Sequence, residues 1–264
     1  MNNKKILTFT AQSVITLTIF SGVTALSLPV YAQSPTVSVT PGAQSALRSQ
    51  AVIGRLKGRA DAEISRRIDA LNGILNKINA MKRLTVDQKT TFTNGIQSQI
   101  SSLTSLKTKI DVDNDLTTLR TDVQSIVKSY RIFALYIPQV NIMSNADRAL
   151  AIINEMTTIS TKLQARIDAA KLAGNDTTAM QSLMTDRASK LADATTQAQN
   201  ALNTVVPLTP DGYPGNKTTL LSARTMLQTV RSDLKAAESD ATQIRQDLRS
   251  MKKTMATPTV TPTP

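Results

Sequence analysis

Residues 53–81 read IGRLKGRADAEISRRIDALNGILNKINAM. Ile53, Leu56, Ala60, Ile64, Ile68, Leu71, Leu75, Ile78 and Met81 follow one another at steps of three and four. That spacing gathers the apolar side chains into one stripe along an α-helix and leaves Arg, Lys and Asp to the other face. A half-buried strand would instead alternate at every second residue.

The same spacing recurs downstream. Thr85-Val86-Asp87-Gln88 offers a capping box for a second helix, which carries Phe92, Ile96, Ile100, Leu103, Leu106 and Ile110, with Gly95 interrupting its first turns. A third places Leu116, Leu119, Val123, Ile126 and Tyr130 at heptad spacing. A break at Pro138 separates it from a fourth, marked by Ala146, Leu150, Ile153, Met156, Leu163, Ile167 and Ala170, which stops at Gly174-Asn175. The fifth is alanine-rich, with Met180, Met184, Ala188, Leu191, Ala198, Leu202 and Val205 on its stripe. Pro207–Asn216 has turn chemistry throughout, and a sixth helix follows with Leu220, Leu227, Val230, Leu234, Ala237, Ala241, Ile244, Leu248 and Met251. The fold class read from these stripes is all-α. About six long antiparallel helices pack as coiled-coil-like hairpins, in an extended array or a compact bundle. Aromatic content of 3% with no Trp suits close helix–helix packing better than a sandwich or barrel.

Upstream of the first stripe, Lys4 and Lys5 precede an apolar stretch from Ile6 to about Leu28, then Pro29 and the small-residue site Val30-Tyr31-Ala32. The three-part pattern predicts a secretory signal peptide over residues 1–32, cleaved before Gln33. Its length leaves an uncleaved N-terminal membrane anchor as the alternative. Residues 33–42 read as a flexible lead-in, 43–255 as the helical domain, and the Thr/Pro repeat of 256–264 as an extended, disordered tail. The predicted location is secreted or extracytoplasmic, with association to the cell surface.

Formal charge is +12, and removal of Lys4 and Lys5 with the leader makes it +10. A basic exported chain is drawn to anionic surfaces such as wall polymers and acidic glycans. From Arg48 to Arg83 there are nine basic and three acidic residues. Arg48, Arg55, Lys57, Arg59, Arg66 and Arg67 are the candidate polyanion contacts, against a plain solvated helix face. They are not interleaved with aromatic rings, so no specific nucleic-acid partner is expected. Without Cys no disulfide braces the fold, which must rest on its core.

The absence of His and Cys removes the Ser-His-Asp triad, the Cys nucleophile and the usual zinc ligands. Glu occurs only at Glu63, Glu155 and Glu238, in separate helices, and no Gly-rich phosphate loop is present. Ser–Lys pairs remain open on composition alone. The reading is a non-enzyme with no cofactor. Asp111, Asp113, Asp115 and Asp122 fall at positions 1, 3, 5 and 12 of a calcium-loop-like frame. Leu116 stands where that frame needs Gly, and Asp122 replaces the longer Glu. Capping of the third helix therefore explains the acids better than a metal does. Tyr130-Arg131-Ile132-Phe133-Ala134-Leu135-Tyr136-Ile137-Pro138 is nearly continuous apolar sequence. Its rings, Tyr130, Phe133 and Tyr136, serve either as a buried joint between helices or as a contact for a partner.

The leader, the Tyr130–Pro138 block, the Pro207–Asn216 loop and the heptad stripes together resemble a class of uncharacterised exported helical, coiled-coil-like proteins of bacteria. The resemblance implies an all-helical extracytoplasmic protein and brings no activity with it. The expected role is a structural or interaction module at the cell surface, with a protein partner or self-association through helices. The alternative is a binder of anionic polymers through basic helix faces.

Overall fold

A computed structural model describes residues 41–255, and every element among them is helical. Helix α1 runs Pro41–Ala80, α2 Val86–Val112, α3 Leu116–Lys128, α4 Ile137–Leu172, α5 Thr178–Val205 and α6 Asn216–Met255. The stretch predicted as a signal peptide, residues 33–40 of the expected lead-in and residues 256–264 lie outside the described residues. The all-α class is thus the class the chain adopts. Helix α1 opens at Pro41, where a proline forgoes no hydrogen bond and its fixed φ suits the first turn.

Local chemistry sets the ends. Thr85 Oγ1 accepts from the Gln88 N–H at 3.1 Å while the Gln88 side chain accepts from the Thr85 N–H at 3.0 Å, completing the capping box of α2. Asp115 caps α3 by accepting from the Thr118 N–H at 2.7 Å, and Asp113 accepts from the Asp115 N–H at 2.8 Å. Gly174, with φ +83, ends α4: its N–H donates to the Lys171 carbonyl and that of Asn175 to the Ala170 carbonyl. In the loop before α6, a Cβ on Gly212 would sit 2.5 Å from Asn216 Oδ1 and would have to displace that side chain, whose Nδ2 donates to the Thr209 carbonyl at 2.6 Å.

The break between α3 and α4 falls earlier than Pro138. It lies at Ser129–Arg131, where Arg131 takes the left-handed conformation at φ 44. A π turn over Ile132–Tyr136 follows and runs straight into α4, with Pro138 in that helix's first turn. A proline ring crowds the carbonyl four residues before it. Here that carbonyl belongs to Ala134, inside the wider π turn.

Helices α1, α2 and α3 form one three-helix half. Lys107 reaches Asp61 at 2.6 Å and Lys57 donates to the Asp111 carbonyl at 2.7 Å, which fixes α1 and α2 antiparallel. Ile64, Leu71, Leu103, Ile110, Leu119 and Ile126 are fully buried between the three. Helices α4, α5 and α6 form the other half. Ala194, Ala198 and Ala201 of α5 and Ala223, Ala237 and Ala241 of α6 are completely buried, and side chains this small let the two helix backbones approach along their length. Both halves share one core, because Ile132, Leu135, Tyr136, Val140 and Met143 pack with residues of α1, α2, α5 and α6. Gln139, itself fully buried, donates to the carbonyls of Val205 at 2.7 Å and Leu208 at 3.1 Å, satisfying the C-terminal end of α5.

One core position departs from the sequence reading. Ala188 is exposed, and Arg187 takes the buried place at 0% exposure. Its guanidinium donates to Ser160 Oγ at 2.8 Å, to the Met156 carbonyl at 2.9 Å and to the Ala237 carbonyl, tying α5 to both neighbours. Burial holds the group below the ordinary arginine range, while Glu238 and Asp240 act in the opposite sense. The two backbone carbonyls already serve their own helices, so an apolar chain of similar length would leave few groups stranded. We therefore expect Arg187→Ala to lose about 3 kcal/mol in urea unfolding, from the cavity it opens. Arg187→Met should stay within about 1 kcal/mol of the parent. Equal losses for both would show that the charge itself holds the three helices.

Candidate functional site

The Tyr130–Pro138 block divides between core and surface. Tyr136 is buried, its ring 6.0 Å from that of Phe92 in an edge-to-face contact. Burial, with the charge of Asp211, pushes its hydroxyl up to about 12. Tyr130 is half-buried and its hydroxyl is also pushed up by burial. Phe133 is 40% exposed, carried outward by the π turn. The Arg66 guanidinium lies 4.2 Å from its ring centre and that of Arg67 lies 5.3 Å away. Both arginines are held by Glu63: Arg66 in a two-pronged pair at 3.0 and 2.7 Å, Arg67 through a closer bond. On the other side of the joint, Arg131 stacks on Tyr213 at 4.6 Å, with Lys217 Nζ 5.1 Å from the same ring.

The six candidate polyanion contacts on α1 do not form one patch. Arg66 and Arg67 are engaged by Glu63 and Phe133, and Lys57 caps the C-terminal end of α2. Arg48, Arg55 and Arg59 are exposed at helical spacing on one face. Arg55 Nε returns to the Ala51 carbonyl at 3.2 Å.

The four acids after α2 are dispersed as well. Asp111 pairs with Lys107 at 3.0 Å, Asp122 pairs with Lys109 at 2.9 Å, and Asp113 and Asp115 cap α3. Among the described residues no group of three or more acidic side chains is placed to hold a metal ion.

A feature that the sequence reading missed lies between α4 and α6. It is an open groove of about 460 Å³ with Arg148 on one wall and Arg224 and Arg231 on the other. Ile142, Ile152, Leu227 and Leu234 contribute apolar surface to it, Asn141, Asn145 and Gln228 contribute neutral amides, and no acidic residue lines it. The three arginines are 76 and 83 residues apart along the chain, counting from Arg148, so only the antiparallel-and-return path of α4, α5 and α6 brings them together. Neither a protein-family model, nor a curated protein, nor a solved structure matches this chain. Among the described residues, no helix is long and apolar enough to cross a membrane.

The Glu63 cluster yields a pH test. The bond from Arg66, reinforced by Arg67, lowers the Glu63 carboxyl from 4.5 to about 2. A carboxyl lowered on folding stabilises the folded state above its unfolded value and loses that contribution as pH falls through the folded one. Glu63→Gln should therefore unfold at lower urea than the parent at neutral pH, and the gap should close between about pH 4.5 and about pH 2. A gap that is unchanged down to the acid end would mean that the carboxylate charge contributes nothing.

Proposed function

We propose that this chain is a non-enzymatic exported protein that serves as a structural or interaction module at the cell surface. The single observation that carries the reading is the shared core at Ile132–Tyr136, which joins two three-helix halves into one body of long helices. Helices α1 and α6, at 40 residues each, span roughly 60 Å at a rise of about 1.5 Å per residue. Such a body holds separated surfaces at a fixed spacing, which suits a spacer or scaffold. In this proposal the α4–α5 and α5–α6 pairs act as coiled-coil-like hairpins, their short-side-chain seams fixing the register. The leader pattern of residues 1–32 delivers the chain outside the cytoplasm, and the lack of His and Cys narrows the chemistry it could perform.

A second reading is favoured by Arg48, Arg55 and Arg59, which are exposed on one face of α1. There the chain binds an anionic wall polymer or glycan. Retention on heparin that disappears by about 0.15 M salt would reduce this to general charge, because surface attraction is screened over about 8 Å at that strength. Retention above it, lost in Arg55→Gln/Arg59→Gln, would make the polymer a true ligand.

For the leading reading, cell fractionation followed by N-terminal sequencing should find the protein outside the cytoplasm and beginning Gln33-Ser34-Pro35. A pull-down from the same envelope material should return a partner that binds without chemical turnover. Recovery in the cytoplasm with Met1 intact would overturn export and the surface role together.

A further inference from the structure

The α4–α6 groove combines two surfaces that a folded protein rarely leaves together without use. Its floor is apolar, and Ile152 remains 46% exposed there. Its rim carries Arg148, Arg224 and Arg231, whose guanidinium groups make no hydrogen bond or ion pair among the described residues. Six cations elsewhere, Arg66, Arg67, Lys107, Lys109, Lys190 and Arg245, each hold a carboxylate. Here three guanidinium groups converge from two helices with no acid among the lining residues. Arg224 and Arg231 stand two turns apart on one wall, about 10.5 Å along the axis at about 1.5 Å per residue.

Charge and shape together select the occupant. A polar polyanion would meet the arginines and leave the floor wet, and a neutral apolar molecule would leave three cations unmatched. A partner helix, about 10 Å across, would rest on this open groove by one face only, and a recess of about 460 Å³ encloses little of it. The volume instead falls within the range of roughly 300–1,000 Å³ common to small-molecule sites. The chain's own ends do not match either, since residues 1–40 and 256–264 contain no Asp or Glu.

We propose that the α4–α6 groove binds a single-chain anionic amphiphile, with its alkyl chain on the floor between Ile142, Ile152, Leu227 and Leu234 and its head group on Arg148, Arg224 and Arg231. The planar guanidinium fork matches two oxygens of a phosphate or carboxylate at once. The apolar floor rejects an anion that lacks a chain, and the rim rejects a chain that lacks an anion. This site is additional to the module role and does not rest on it.

Calorimetric titration of the purified protein with dodecyl phosphate, below its micelle threshold, tests the proposal. Saturable one-to-one binding is expected. Inorganic phosphate and dodecyl maltoside should each bind at least roughly tenfold more weakly, the scale of one lost charge-assisted contact. Arg224→Gln/Arg231→Gln should weaken dodecyl phosphate by a similar factor, as should Ile152→Glu, while Arg55→Gln/Arg59→Gln leaves it unchanged. These side chains are exposed, so circular dichroism should report the parent's helix content in every variant. Equal affinity for inorganic phosphate would make the groove a plain anion site and overturn the proposal, as would equal affinity for the maltoside. Unchanged binding in the groove variants would overturn it too. So would a chain that ignores dodecyl phosphate and sediments as a dimer dissociated by Arg224→Glu/Arg231→Glu, since the occupant would then be a second copy.

Discussion

The chain passes from α3 to α4 without leaving the core, and the two halves of the molecule depend on that passage. Ile132, Leu135 and Tyr136 are buried on the π turn, and the same cluster reaches α1, α2, the end of α5 and the start of α6. A solvated linker would have left two small bundles, each with a thin core and no disulfide to brace it. Keeping the passage apolar merges them into one. The geometric consequence is visible on the outside: the turn needed to bury three of its residues points Phe133 outward, and Arg66 and Arg67 cover that ring. Arg131 takes up the left-handed backbone conformation that the passage requires.

Much of this was legible in the sequence because it depends on spacing alone. Phe92, Ile96, Leu103 and Ile110 are buried at the positions their three- and four-residue steps give them, and the Thr85–Gln88 capping box forms as its pattern implies. The boundary at Pro138 was misplaced because a proline usually ends a helix. A π turn is set by i-to-i−5 bonding, which has no residue signature, so its presence just ahead of the proline could not be read. Hydrophobicity alone places Ala188 in the core, yet the core accepts Arg187 because Ser160 and two helix carbonyls stand ready to receive its donors. That accommodation depends on residues 27 to 50 positions away.

Candidate sites were less legible than the fold for a related reason. A cluster of charges along one helix is visible in sequence, but what each charge faces is not. The sequence leaves Arg66 and Arg67 open, yet Glu63 holds them; of the four acids near α3, Asp113 and Asp115 cap the helix as their positions imply, while Asp111 and Asp122 pair with lysines that the spacing does not reveal. Arg148, Arg224 and Arg231 carry no signal in the sequence, since each is the lone basic residue of its helix turn. The bundle, rather than any local motif, creates their groove.

The alanine seam between α5 and α6 carries a dynamic consequence. An alanine surrenders no rotamer freedom when buried, and it removes little apolar surface from water. The middle of the α4–α6 half therefore closes at small entropic cost and for a small gain, whereas the shared core gathers Ile, Leu, Phe and Tyr and the far end packs Leu163, Ile167, Met180, Ile244 and Leu248. Opening by sub-global fluctuation begins where contacts are individually weakest. In this molecule that is the alanine-seamed middle of α5 and α6, between the joint around Tyr136 and the Leu, Ile and Met cluster at the far end.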